Sequence, residues 1–262
     1  MLIRNGKAFT RGLLLMSSFI VVFVLFFMPV FPGQEGGEKT NGLVYADHLF
    51  NTLSKGSSNF FDTSKQDPKS VDYAVAALQG TTVDLDVPFK KAEDSYPEGD
   101  GMKSFNVLDS AVTLLAAQGF EASSTGSGIK MKGDLHAFLS AVLEDSLSTY
   151  HNNFGEVAGR RGGMDGAQVM KTYWHLLDSM IKPMQRAGQV SEATVVNSVK
   201  GKAVEASYNF YGITPLRVVD NIPLVAGFLI FYVIYTMWYG FAIFELFEGI
   251  GLTMKKSAKS EV

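Results

Sequence analysis

The sequence predicts a mainly α-helical membrane protein in which two transmembrane helices flank an extracytoplasmic helical domain with a minor β strand and hairpin. Two apolar runs, Gly12 to Phe31 and Ile222 to Phe244, contain no charged side chain. At about 1.5 Å of helical rise per residue, each reaches the roughly 30 Å of a bilayer's hydrocarbon core. Between them, apolar residues recur mostly at three- and four-residue steps, the period of helices that bury one face. The expected division is a tail at 1–11, a span at 12–31, a domain at 32–221, a span at 222–246 and a tail at 247–262.

Basic residues set the orientation. Arg4, Lys7 and Arg11 precede the first span, and Lys255, Lys256 and Lys259 follow the second. The positive-inside rule then puts both termini in the cytoplasm and the domain on the far side. A cleaved signal peptide is the competing reading of the first run. The run exceeds a signal core of about 7–15 residues, and no small-x-small cleavage site follows it before Pro29, Pro32 and Gly33. Six of the chain's 23 basic residues lie in the tails, against three of its 26 acidic ones lying at or beyond the end of the second span. The domain is therefore mildly acidic, which argues against a nucleic-acid partner.

The chain has no cysteine. Disulfides, thiolate metal sites and iron–sulfur ligation are excluded, so the domain must be held by its own core. No Asn-x-Ser/Thr acceptor occurs either. That favours a bacterial envelope, with the chain in the inner membrane and its domain in the periplasm.

Within the domain, Leu43, Ala46, Leu49, Phe50 and Leu53 trace a helix ending near Lys55 and Gly56. Asp67 and Pro68 are a cap and first-turn pair for a second, whose stripe is Val71, Val75 and Leu78. Val83, Leu85 and Val87 alternate with Asp84 and Asp86, which reads as a half-exposed strand stopped by Pro88. Residues 90–103 form an acidic loop, and Ser104 caps a helix through Leu115 that stops at Gly119. Phe120, Ala122, Ile129 and Met131 make a hairpin about the turn Ser124 to Gly128. Asp134 to Tyr150 is the clearest domain helix, with one broad core face. A loop follows from Asn152 to Met164. Asp165 caps the next helix, which Pro183 should kink or end. The last domain helix places Val195, Val196, Val199, Ala203, Ala206 and Phe210 on one side.

Candidate sites are few. The histidines His48, His136, His151 and His175 lack metal-ligand spacing, and the acidic loop with Glu93, Asp94, Glu98 and Asp100 lacks the order of an EF-hand. No nucleophile elbow occurs, so no catalytic residue, cofactor or metal is assigned and the chain is not expected to be an enzyme. Arg160 and Arg161, between glycines and just before a helix N-terminus, form the domain's one basic cluster and a possible anion ligand pair. In the second span, Tyr232, Tyr235 and Tyr239 share a helix face, where phenols near mid-membrane call for a partner helix. Glu245 and Glu248 extend that helix toward the basic residues of the first span, so an ion pair is expected there.

These features lead to one expectation and one alternative. The first is a non-catalytic accessory or scaffold subunit of a bacterial envelope complex. It would act through its periplasmic domain and its second transmembrane helix on the bilayer, a membrane partner or another copy. The alternative is an extracytoplasmic anion-sensing module that signals through a membrane partner.

Overall fold

Asn5 opens the first helix, its side chain accepting from the Ala8 N–H, and α1 runs Gly6–Phe27. The computed structural model describes residues 3–33, 37–57, 69–89, 95–96 and 104–252. α1 starts and ends earlier than the apolar run. Lys7 and Arg11 are good helix formers, whereas Pro29 holds Met28 in an extended conformation. α2 is Gly42–Ser57, with the Asn41 side chain accepting from the Val44 N–H. α3, Val71–Ala76, is capped by Ser70, and the expected cap pair Asp67 and Pro68 lies outside the described residues.

β1, Thr82–Pro88, buries Val83, Leu85 and Val87 and exposes the residues between them. Most of the acidic loop, including Glu93, Asp94, Glu98 and Asp100, lies outside the described residues. Within it, β2 (Ser95–Tyr96) pairs antiparallel with β3 (Phe105–Asn106), a ladder too short to leave a period in the sequence. That pairing delays the next helix. α4, Val107–Ala117, is capped by Asn106 and not by Ser104. β4 (Glu121–Ser124) and β5 (Gly128–Asp134) form the expected hairpin. β1 then joins β5 antiparallel, giving the order β1-β5-β4.

Six α-helices follow among the described residues: α5 (Leu135–Tyr150), α6 (Phe154–Arg160), α7 (Gly166–Arg186), α8 (Val190–Val199), α9 (Glu205–Asn209) and α10 (Ile222–Gly249). Three expectations are corrected here. The loop 152–164 contains α6, which its two glycines disguised and which burial of Val157 supports. α7 runs through Pro183 to Arg186, because a proline so close to the helix end removes little of the hydrogen-bond ladder. The last domain helix is interrupted by a π turn, Lys200–Val204, which brings Val204 into the core beside Ala203.

The chain divides into two compact units, Met1–Ser57 with Pro215–Val262, and Ser58–Thr214. In the first, α1 and α10 lie antiparallel, and both are long and apolar enough to cross a membrane. The N–H groups of Arg4 and Asn5 donate to the Gly249 carbonyl at 2.9 and 3.0 Å. Further along, Phe19 stacks on Tyr235 at 4.4 Å and Phe26 on Phe231 at 5.9 Å. α2 belongs to the same unit. Its Tyr45 ring stacks on Phe31 and Phe228, and its Thr52 carbonyl accepts from the Leu216 N–H at 3.0 Å.

The second unit has one continuous core. One face of the three-stranded sheet, with Val83, Leu85, Ile129 and Met131, packs against Leu114 of α4, Phe138 of α5 and Met170 of α7. Each such side chain contributes about 1.5–3 kcal/mol by leaving water, which is how the unit holds together without a disulfide. α5 is its central rod. Its C-terminal half is buried on nearly every side, so that Asp145, Ser146, Ser148 and Thr149 are enclosed along with the apolar residues.

Candidate functional site

The helical period of α5 places Phe138, Val142, Asp145 and Thr149 on one inward stripe, so a carboxylate occupies a core position. Asp145 is 0% exposed. A buried ionised carboxylate survives only with close charge-assisted partners, and three groups supply them. The Arg160 Nε donates to Oδ1 at 3.0 Å. The Arg161 Nε donates to Oδ2, and the Tyr173 hydroxyl donates to that same oxygen at 2.8 Å.

Local structure delivers each donor. α6 turns the chain back along α5 and sets Arg160 at its own last residue. Arg161 follows, and Gly162 and Gly163, at φ 65° and 84°, then reverse the chain into the Asp165 cap of α7. Side chains with a Cβ rarely adopt that backbone. Asp165 accepts from the Ala167 N–H and from the Tyr211 hydroxyl, which fixes the start of the helix that carries Tyr173.

A second layer of polar groups surrounds the first. Arg160 Nη1 lies 3.4 Å from Glu144 and 3.9 Å from Glu156, and its Nη2 donates to Ser148 Oγ at 2.9 Å. Ser148 in turn donates to Glu156. The Tyr173 oxygen accepts from Gln118 Nε2 at 2.7 Å, tying α4 into the cluster. Two guanidinium groups thus face three carboxylates. The expected anion ligands, Arg160 and Arg161, are already matched within the chain, and an added anion would meet surplus negative charge.

The sequence reading missed Asp145 and gave Tyr173 no role. The signal was present: on the stripe Phe138, Val142, Asp145, Thr149, a charged residue falls where only apolar ones are expected. The histidines lie apart, His48 on α2, His136 on α5, His151 after it and His175 on α7. Among the described residues no group of three or more His, Asp or Glu is arranged to hold a metal ion.

Burial, the charge of Asp145 and the hydrogen bond to it push the Tyr173 hydroxyl well above the usual phenol range. The native state therefore keeps a proton that the unfolded chain gives up near pH 10. Stability from this group is complete below that pH and falls as pH rises further, since the unfolded state then binds fewer protons. Tyr173→Phe is expected to flatten the loss of stability above about pH 10. Urea melts at stepped pH would show it, and an unchanged alkaline slope would refute the burial of this phenol.

In the first unit, Tyr235 and Tyr239 both meet Phe19 of α1, at 4.4 and 5.1 Å, while Tyr232 is 66% exposed. Arg11 lies 3.5 Å from Glu245 Oε1, and Glu248 is half-buried one turn further on. The other Glu245 oxygen and the Trp238 Nε1 are buried with no hydrogen-bond partner among the described residues. Compared with known proteins, the chain matches no family model, no curated protein and no solved structure, so the functional reading rests on this geometry alone.

Proposed function

We propose that the chain is a membrane-anchored, non-catalytic accessory or scaffold subunit of a bacterial envelope complex. Both termini lie in the cytoplasm and the second unit lies in the periplasm. The observation that carries this reading is the Asp145 cluster: the polar side chains with most potential for binding are committed to joining α4, α5, α6 and α7. The paired helices α1 and α10 support the anchoring, since both have the length and hydropathy of spans. The basic residues at the shared end of that pair, Arg4, Lys7 and Arg11, support a cytoplasmic placement for it.

Native-size analysis of the gently solubilised, tagged protein, with mass spectrometry of co-migrating chains, tests the subunit reading. A stoichiometric membrane protein partner is expected. Migration alone, as a monomer or homo-oligomer, would remove it. A thermal-shift series with phosphate, sulfate and carboxylates tests the sensing alternative and is expected to be flat. A saturable stabilisation that disappears in Arg160→Met would favour sensing instead.

A further inference from the structure

Large apolar side chains are exposed very unevenly along this chain. Among the described residues, the second unit exposes only Tyr73 and Val190. In the first unit the exposed set extends beyond the two long helices, to Leu43, Val44 and Phe50 of α2 and to Leu216, Val218 and Val219 just before α10. A single exposed leucine means little, but a cluster of them beside a unit that hides nearly all of its own marks a surface not meant for water.

α2 is also held at a definite level of the helix pair. Its Tyr45 stacks on Phe228 at 6.1 Å, its Phe50 meets the same ring edge-on at 6.1 Å, and its Thr52 carbonyl accepts from the Leu216 N–H. The apolar run of α10 from Ile222 to Phe244 is about 35 Å long against about 30 Å of hydrocarbon, so the hydrocarbon edge falls within about 5 Å of Ile222. Phe228 lies about 9 Å along the helix from Ile222. α2 therefore stands beside the embedded part of α10 and not above it.

The two flanks of α2 suit that level. At about 3.6 residues per turn, Leu43, Ala46 and Phe50 share one flank. It is continuous with the outer surface of the spans, since these residues border one apolar surface with Phe23 and Phe27 of α1 and Leu229 of α10. Lipid that surrounds the spans reaches it without a break. The adjoining flank carries Asp47 and Asn51, hydrogen-bonded to each other at 3.0 Å. An apolar flank beside a polar one is the pattern of a helix lying in the plane of a membrane interface.

We infer that α2 is a third membrane-bound element, lying along the headgroup–acyl boundary at the Ile222 end of α10 with Leu43 and Phe50 turned to the acyl chains. The occupant of this surface is the bilayer itself, and the inference rests on the membrane-anchored reading above.

The chain has no cysteine, so single-cysteine variants of the full-length protein each take one nitroxide label. The labelled proteins are reconstituted into phosphatidylcholine vesicles. Leu43→Cys and Phe50→Cys probe α2, Val233→Cys probes the middle of the span and Val190→Cys the second unit, all four side chains being exposed. Power saturation compares access by oxygen, which dissolves in hydrocarbon, with access by a nickel chelate, which stays in water. The oxygen-to-nickel ratio at Leu43 and Phe50 should be severalfold above that at Val190 and below that at Val233. Either α2 label decides the matter if the other variant fails to fold. A ratio equal to that at Val190 would overturn the inference. So would low access to both reagents, which would show a second copy of the chain covering α2 in place of lipid. Val233 separates the two levels. Nickel excluded there but not at α2 overturns the placement of α2 alone, whereas nickel reaching Val233 overturns the anchored reading beneath it.

Discussion

Replacing Asp145 by alanine is expected to destabilise the second unit by about 3–5 kcal/mol, the range for breaking a buried ion pair from one side. The loss comes less from the missing bonds than from what remains. Arg161 is 7% exposed and its guanidinium would stay enclosed without its carboxylate, beside a Tyr173 hydroxyl that had lost its acceptor. For a unit of this size the melting temperature should fall by roughly 6–20 °C. Arg160→Met should cost far less, about 1 kcal/mol, because Arg160 is partly exposed and the groups it leaves behind reach water. The double variant Asp145→Leu with Arg161→Met should recover much of the loss, since well-packed apolar residues commonly replace buried pairs without penalty. Denaturant melts of the four proteins measure all of this. An Asp145→Ala cost below about 1 kcal/mol would mean that the cluster does not hold the four helices together.

Gly12→Leu should disrupt the helix pair of the first unit. A Cβ at Gly12 would lie 2.6 Å from the backbone nitrogen of Leu246, and one at Gly249 would lie 2.6 Å from the Cα of Phe9. Both obstacles are backbone, which cannot swing aside as a side-chain tip can. Close approach through glycine is how apolar helices gain packing where the surrounding medium offers no hydrophobic drive. Forcing the helices apart at Gly12 also stretches the Arg11–Glu245 pair and the two hydrogen bonds to the Gly249 carbonyl. The expected cost is at least about 1–3 kcal/mol, as for overpacked cores, read as a lower melting temperature in detergent. Gly240 is the control, because a side chain there meets open space and Gly240→Leu should melt like the parent. Equal tolerance at both positions would contradict the close pairing of α1 and α10.

Much of the architecture was legible because period and capping are local. Asp165 was readable as a cap and Asp134 as the start of a helix, and each accepts from an N–H in the first turn of its helix. β1 and the β4–β5 hairpin followed from alternation and a turn. The misses share a cause. α6 has two glycines in seven residues and exists because Val157 and Arg160 find partners on other helices. β2 and β3 are two residues each, and only their mutual pairing defines them. The π turn at Lys200–Val204 keeps the composition of an ordinary helix, so nothing in the sequence marks it.

The candidate sites divide in the same way. That Arg160 and Arg161 were the domain's notable charges could be read directly. That both would turn onto Asp145 could not, because the aspartate is 15 and 16 residues earlier and the groups meet only when α6 folds back on α5. Likewise, the tyrosine face of α10 was visible as a spacing, but which phenols would meet α1 depended on the rotation of two helices about their axes. By itself the sequence determined the two long apolar helices, the disulfide-free helical middle and most element boundaries, since each depends on neighbours within a few residues. The tertiary structure alone decided the β1–β5 pairing, the buried aspartate's three donors and the seating of α2 beside α10. Those features join residues distant in the chain, and their free energy is realised only once the intervening segments have packed.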